Sequence, residues 1–269
     1  MSAACEGLSY EVYPSDRIVD EVMAHLPRES KVSVTVSPAR GIEPTRKVAV
    51  DLADAGFIVT AHLAARMFRA AAEAADHAVA LQQSGVASAL LLAGDMDPAA
   101  GGLAGALDLH RALHERSASF PETLFAAYPE GHPYLSPDEE RTDLHAKSAI
   151  AQSLVTQICL SPRMIRGWIT RVRADGVSTP IRVGIPGPAV QARLDRIMID
   201  LGLRSLGEDV ADDGDSSLRF DPAPLATAVA SGGVSESVEG LHVYTFNEVA
   251  LTRRLVDTKL AGGRLRQHS

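Results

Sequence analysis

Apolar residues fall along this chain in short runs of strand length, separated by longer stretches with helical spacing. The first run, residues 8–13, interleaves Leu8, Tyr10, Val12 and Tyr13 with Ser9 and Glu11 and then meets Pro14, which predicts a strand stopped by a turn. Residues 16–25 place Ile18, Val19, Val22 and Met23 on one helical stripe. A β-branched strand at 31–36 ends at Ser37-Pro38, and a helix over 43–55 is closed by Gly56, with a strand resuming at 57–63. An alanine-rich helix over 64–83 ends at Gly85, and an apolar strand at 87–92 runs out at Gly94-Asp95. Gly101-Gly102 opens a helix to about residue 116, by the same reading of turn residues.

The central strand starts at Thr123 and carries Leu124, Phe125, Ala126 and Ala127 into Tyr128-Pro129-Glu130-Gly131-His132-Pro133. Pro129 cannot donate to a sheet ladder, so the strand stops there and its polar groups follow on a short turn. Ser136 then caps a helix to about residue 151, with Pro137 at its first position and acidic residues in its first turn. Strands at 153–159, 181–185 and 241–246 alternate with helices at 162–174, 191–202, 222–230 and 248–261, and the acidic stretch 208–215 reads as a solvated loop. Eight strands, each followed by a helix, give the order of a single (β/α)8 TIM barrel spanning residues 1–269. A doubly wound open sheet uses the same alternation, but no G-x-G-x-x-G follows the first strand.

Composition narrows the partners. A net charge of −8 with no basic block opposes binding to nucleic acid or an anionic membrane surface. No apolar run approaches the roughly 18 residues that span a bilayer. Only Cys5 and Cys159 are present, and nothing N-terminal has the form of a secretory signal, so a reducing cytoplasm is expected.

In a barrel the C-terminal strand ends form the functional rim. Those ends present Glu11, Thr35, His62, Asp95, Tyr128 with Glu130 and His132, Gln157, and Thr245 with Asn247. A carboxylate such as Glu11 inside an otherwise apolar strand costs free energy unless something uses it. Asp95 can instead cap a turn, His62 can be a hydrogen-bonded core histidine, and Gln157 can tie strands together. Glu11 and Asp95 suit acid/base work if their surroundings separate their pKa values. His110 and His114 share a helix face but have no third ligand spaced with them, so no metal site is expected. The serines lack a G-x-S-x-G context, which leaves a hydrolase triad without support.

Several of these pieces together are similar to the methylenetetrahydrofolate reductase family: Ser9-Tyr10-Glu11-Val12-Tyr13-Pro14, Val32-Ser33-Val34-Thr35, His62-Leu63, Gly94-Asp95, Asp108-Leu109, the 126–133 loop, Thr156-Gln157 and Leu241-His242-Val243-Tyr244-Thr245-Phe246-Asn247. The resemblance covers almost the whole chain. It implies a barrel that reduces 5,10-methylenetetrahydrofolate to 5-methyltetrahydrofolate with a nicotinamide, a step of one-carbon metabolism and methionine biosynthesis. It further implies Glu11 as the general acid that opens the imidazolidine ring, Asp95 as a fixed charge beside the pterin, and Gln157 as a folate contact. Thr35, His62, Tyr128, His132 and Lys147 are the cofactor-binding positions it implies, those that help hold FAD in the family.

The chain also departs from the family. Ala93 stands where the family usually has arginine before Gly-Asp, Ala146-Lys147 keeps one cation of a basic pair, and Ser148-Ala149-Ile150-Ala151-Gln152 replaces an acidic run. Arginine bonds to a pyrophosphate are each worth on the order of 1.5–3 kcal/mol. Losing two weakens FAD by roughly two to four powers of ten at about 1.4 kcal/mol per decade. The expectation is therefore an enzyme that uses NADH, or NADPH, without tightly bound FAD. The other readings left open are an FAD-dependent reductase, a non-catalytic folate or nucleotide binder, and a barrel of other chemistry such as a pterin methyltransferase.

Overall fold

A computed structural model describes residues 7–132, 134–203, 220–230 and 237–260. Its eight strands close into a parallel barrel in chain order: β1 (Ser9–Val12), β2 (Lys31–Val34), β3 (Ile58–Ala64), β4 (Ser88–Leu92), β5 (Glu122–Ala127), β6 (Ser153–Thr156), β7 (Ile181–Pro186) and β8 (Val238–Tyr244). The connecting helices are α1 (Ile18–His25), α2 (Glu43–Asp54), α3 (Ala71–Gln83), α4 (Ala106–Glu115), α5 (Pro137–Ser148), α6 (Pro162–Ala174), α7 (Gln191–Asp200), α8 (Ala223–Ala230) and α9 (Val249–Leu255). The (β/α)8 barrel expected from the alternation is the fold. The acidic stretch 208–215 lies outside the described residues. No helix among the described residues is long and apolar enough to cross a membrane.

The chain forms two compact units, one of residues 9–126 and 146–154, the other of residues 1–8, 127–145 and 155–269. In the first, β1 to β5 pair in continuous parallel register, with Glu11 opposite Ser33, Ser33 opposite Thr60, and Thr60 opposite Ser88. Side chains alternate faces along a strand. One set, Val12, Val32, Val34, Val59, Ala61, Leu63, Ala89 and Leu91, is buried and apolar. The alternate set carries Ser9, Ser33, Thr60, His62 and Ser88, also buried. A barrel interior normally fills with branched aliphatics. Here two interstrand hydrogen bonds join four of these polar groups: Thr60 Oγ1 donates to Ser88 Oγ at 3.0 Å, and Ser33 Oγ lies 2.7 Å from His62 Nε2.

Helices form where local signals agree. In α2 the buried residues Thr45, Val48, Ala49 and Leu52 follow i, i+3, i+4, i+7, and Gly56 after it takes φ +90°. In the second unit, Ser161 Oγ accepts from the Met164 amide, Pro162 opens α6, and Ile165, Trp168, Ile169 and Val172 bury one stripe. Ser136 caps α5 as expected, and the Glu139 carboxylate accepts from its amide in return.

Two predicted helices begin later than expected. The alanine-rich stretch is a short 3-10 turn over Ala65–Met67, then extended backbone, with α3 starting only at Ala71. Bonds to another loop override helix propensity there: the Arg66 amide donates to Ala93 O and its carbonyl accepts from the Ala100 amide. Likewise α4 starts at Ala106, where the Asp108 carboxylate accepts from the Ala104 and Gly105 amides, so Gly101-Gly102 lies in a loop. The sixth strand stops at Thr156, which leaves Gln157 just beyond it, and the last helix continues as a π-helical stretch over Val256–Leu260.

Candidate functional site

Within the first unit, the polar strand face converges on Glu11. Its side chain is 14% exposed, and Oε2 lies 3.7 Å from Nε2 of His62, itself 5% exposed. That same nitrogen holds the Ser33 hydroxyl at 2.7 Å. Parallel pairing puts Ser33 beside Glu11, and His62 reaches in from two residues past Ser33's own partner on β3. A carboxyl group in such a recess keeps hydrogen-bonding neighbours and little water, the setting in which a positioned acid can transfer a proton. Ser33 was not among the rim candidates; only strand register brings it there.

Thr35 follows β2. Its amide donates to Val12 O and its carbonyl accepts from Thr45 Oγ1 in the first turn of α2, so its backbone is fixed on both sides. Lys147, near the end of α5, is 6% exposed. Asp95 lies in the stretch from 93 to 105, which has no helix or strand, and is exposed. Its carboxylate makes no hydrogen bond or ion pair among the described residues, so it does not cap the turn. Gly94 before it has φ +86°, and a Cβ there would stand 2.7 Å from the Ala64 Cβ.

In the second unit, the turn after β5 is closed by the Gly131 amide donating to Tyr128 O, with Gly131 at φ +97°. Tyr128 and His132 meet edge to face at 4.5 Å between ring centroids, the His132 amide donates to Glu140, and His132 Nδ1 accepts from the Tyr134 amide. Gln157 holds the Ala127 carbonyl through its amide, and its side-chain oxygen accepts from the Ile158 amide. Thr245 is fully buried and its hydroxyl accepts from the Asn247 amide, holding a turn in which Phe246 and Asn247 both have positive φ. Tyr244 donates to Thr156 O, and Gly184 is fixed as glycine because a Cβ would run into that same carbonyl oxygen.

The remaining candidates have ordinary explanations. His110 and His114 stack at 6.3 Å, and His110 also packs on Phe125, so burial and then the neighbouring His114 hold its pKa down. No group of three or more metal-ligating side chains occurs among the described residues. Burial pushes the Cys159 thiol up to about 12, which makes it an inert core residue.

The strands close into a parallel (β/α)8 barrel, a fold that many proteins share. Solved structures with the same fold include a 2,3-dimethylmalate lyase of the PEP mutase/isocitrate lyase superfamily, at 13% identity and TM-score 0.54, covering 99% of this chain and 88% of that one. A putative lyase/mutase from Burkholderia cenocepacia J2315 matches at 14% identity and TM-score 0.51, over 95% and 81% of the two chains. At such identity these share the fold alone. The family model for methylenetetrahydrofolate reductase matches residues 18–259, and the chain belongs to that family. It is therefore a folate-related oxidoreductase acting on methylenetetrahydrofolate, in a family that is usually flavin-dependent. Glu11 lies before the matched segment, so its role rests on its own position and neighbours.

Proposed function

We propose that this protein reduces 5,10-methylenetetrahydrofolate to 5-methyltetrahydrofolate by direct hydride transfer from NADH or NADPH, without tightly bound FAD. The observation that carries the chemistry is the recessed Glu11 carboxyl beside His62 and Ser33. Glu11 donates its proton to N10 as the N10–methylene bond breaks, leaving the methylene carbon as an N5 iminium. Hydride from the dihydronicotinamide adds to that carbon, giving the N5-methyl product and the oxidised nucleotide. Glu11 is left as a carboxylate and regains its proton from solvent. Asp95, exposed and without a protein partner among the described residues, is the fixed charge that steadies the iminium, as preorganised electrostatics require. Gln157 is assigned to the folate, its oxygen already held by the Ile158 amide so that its NH2 group is the one left to donate.

The residues fit a flavin diphosphate poorly. Of Thr35, His62, Tyr128, His132 and Lys147, only Lys147 is a permanent cation, and it is buried. His62 turns its Nε2 to Ser33 and Glu11. At the Ala93 position, the guanidinium of the adjoining Arg66 is engaged by Met96 O and the Asp97 carboxylate. Thr35, Tyr128, His132 and Lys147 are assigned instead to the nicotinamide nucleotide. The lack of a basic cluster in the sequence favours NADH, because a 2′-phosphate calls for arginine.

The test is nucleotide oxidation dependent on methylenetetrahydrofolate, with the absorption spectrum of the purified protein. A colourless enzyme that moves deuterium from labelled NADH to the product methyl group is the expected result. A stoichiometric flavin band, or activity that appears only on adding FAD, overturns direct transfer. Folate binding without turnover overturns the reductase reading altogether.

A further inference from the structure

We infer that Arg66 is a positioning residue for Asp95, and that this chain sets the geometry of its iminium-stabilising carboxylate through a clasp from the end of β3. The inference rests on the role proposed above for Asp95. The stretch that carries Asp95, residues 93–105, is a long connection without helix or strand, a length at which loops are usually functional or poorly fixed. This one is fixed by one residue at four points. The Arg66 amide donates to Ala93 O, and its carbonyl accepts from the Ala100 amide at 2.8 Å. Its Nε donates to Met96 O at 2.7 Å, and its Nη2 to Asp97 Oδ1 at 2.8 Å. Asp95 thus sits between two carbonyls, at 93 and 96, that the same residue holds.

The contacts on either side agree with a built clasp. Gly94 packs on Ala64 with no room for a side chain, and at Gly101 a Cβ would run into the Arg69 carbonyl oxygen. The loop is therefore pressed against the 64–69 segment at both ends, with Arg66 in the middle. Asp97 is 88% exposed while Arg66 is 30% exposed. The ion pair is thus the weak member, and the Nε bond to Met96 O is the stronger one. Only a guanidinium can reach a carbonyl and a carboxylate at once with a planar fork, so lysine is a poor substitute.

The experiment compares Arg66→Ala, Arg66→Lys, Asp97→Ala and Asp95→Asn, alone and with Arg66→Ala added to Asp95→Asn. Arg66→Ala is expected to lower kcat by up to about 10²-fold, the cost of misplacing a group by roughly an ångström, with KM for the nucleotide unchanged. Lysine should recover little of this, and Asp97→Ala should lose less than Arg66→Ala. In the Asp95→Asn background, removing Arg66 should cost nothing further. Amide hydrogen exchange at residues 93–100 should rise in Arg66→Ala whatever the activity. Unchanged exchange there, or equal losses from Arg66→Ala with and without the Asp95 carboxylate, overturns the inference. If Asp95→Asn turns over like the wild type, the proposed role of Asp95 fails first, and this positioning role falls with it.

Discussion

Replacing Gly94 by alanine tests the geometry of the Asp95 loop from its other side. Gly94 has φ +86°, a region where a residue with a Cβ pays about 1–2 kcal/mol. The new Cβ would also stand 2.7 Å from the Ala64 Cβ, and the next contacts are Ala64 backbone atoms rather than a flexible side-chain end. Carbon atoms prefer about 3.5–4.0 Å, so roughly an ångström of overlap must be relieved by moving the loop or the end of β3, at about 1–3 kcal/mol. The two costs together predict a destabilisation of about 2–5 kcal/mol from these principles, read as a lower urea midpoint with an unchanged slope. Ala64→Gly removes the Cβ that clashes but not the backbone strain. Measured against Ala64→Gly alone, the double variant should therefore lose only about 1–2 kcal/mol. If Gly94→Ala is as stable as the wild type, or if Ala64→Gly leaves its full cost in place, the loop does not pack on β3 as described.

Glu11→Gln keeps the shape of the side chain and removes the proton; loss of a general acid predicts a fall in kcat of roughly 10²–10⁴-fold at little cost in stability, and turnover within about twofold of the wild type would remove Glu11 from the mechanism. His77 is buried on α3 against Phe68 and near Glu43, Arg46 and Glu73; its Nε2 has no hydrogen-bond partner among the described residues, and burial holds its pKa below 6.5. Protonation therefore favours the unfolded chain, so the wild type should lose stability relative to His77→Leu as pH falls below 6.5, and parallel stability profiles for the two proteins would contradict this. Cys159, with its thiol pushed up to about 12, should resist alkylation at neutral pH in the native protein and react on unfolding, as peptide mapping by mass spectrometry would reveal.

What the sequence made legible follows the range of the interactions. The span of α6 is read to the residue because its cap, its first-turn proline and its apolar stripe are all local. Gly56 and Gly85 mark helix ends for the same reason, each at positive φ. Glu11 stands out because a charge in an apolar strand is anomalous by itself. Ser33 does not: it and His62 are 29 residues apart, and only parallel register makes them partners.

The two late helix starts, at Ala71 and Ala106, border two segments that bond to each other. An alanine-rich run favours helix, and nothing in residues 64–70 says that Arg66 will spend its backbone and guanidinium on residues 93, 96, 97 and 100. Gly101 reads as a helix opening until the Arg69 carbonyl is seen to occupy the place of its missing side chain. Both errors therefore fall on the two segments that clasp each other around Asp95, where long-range bonds override propensity. Local rules are expected to fail where a chain holds a loop in place for function.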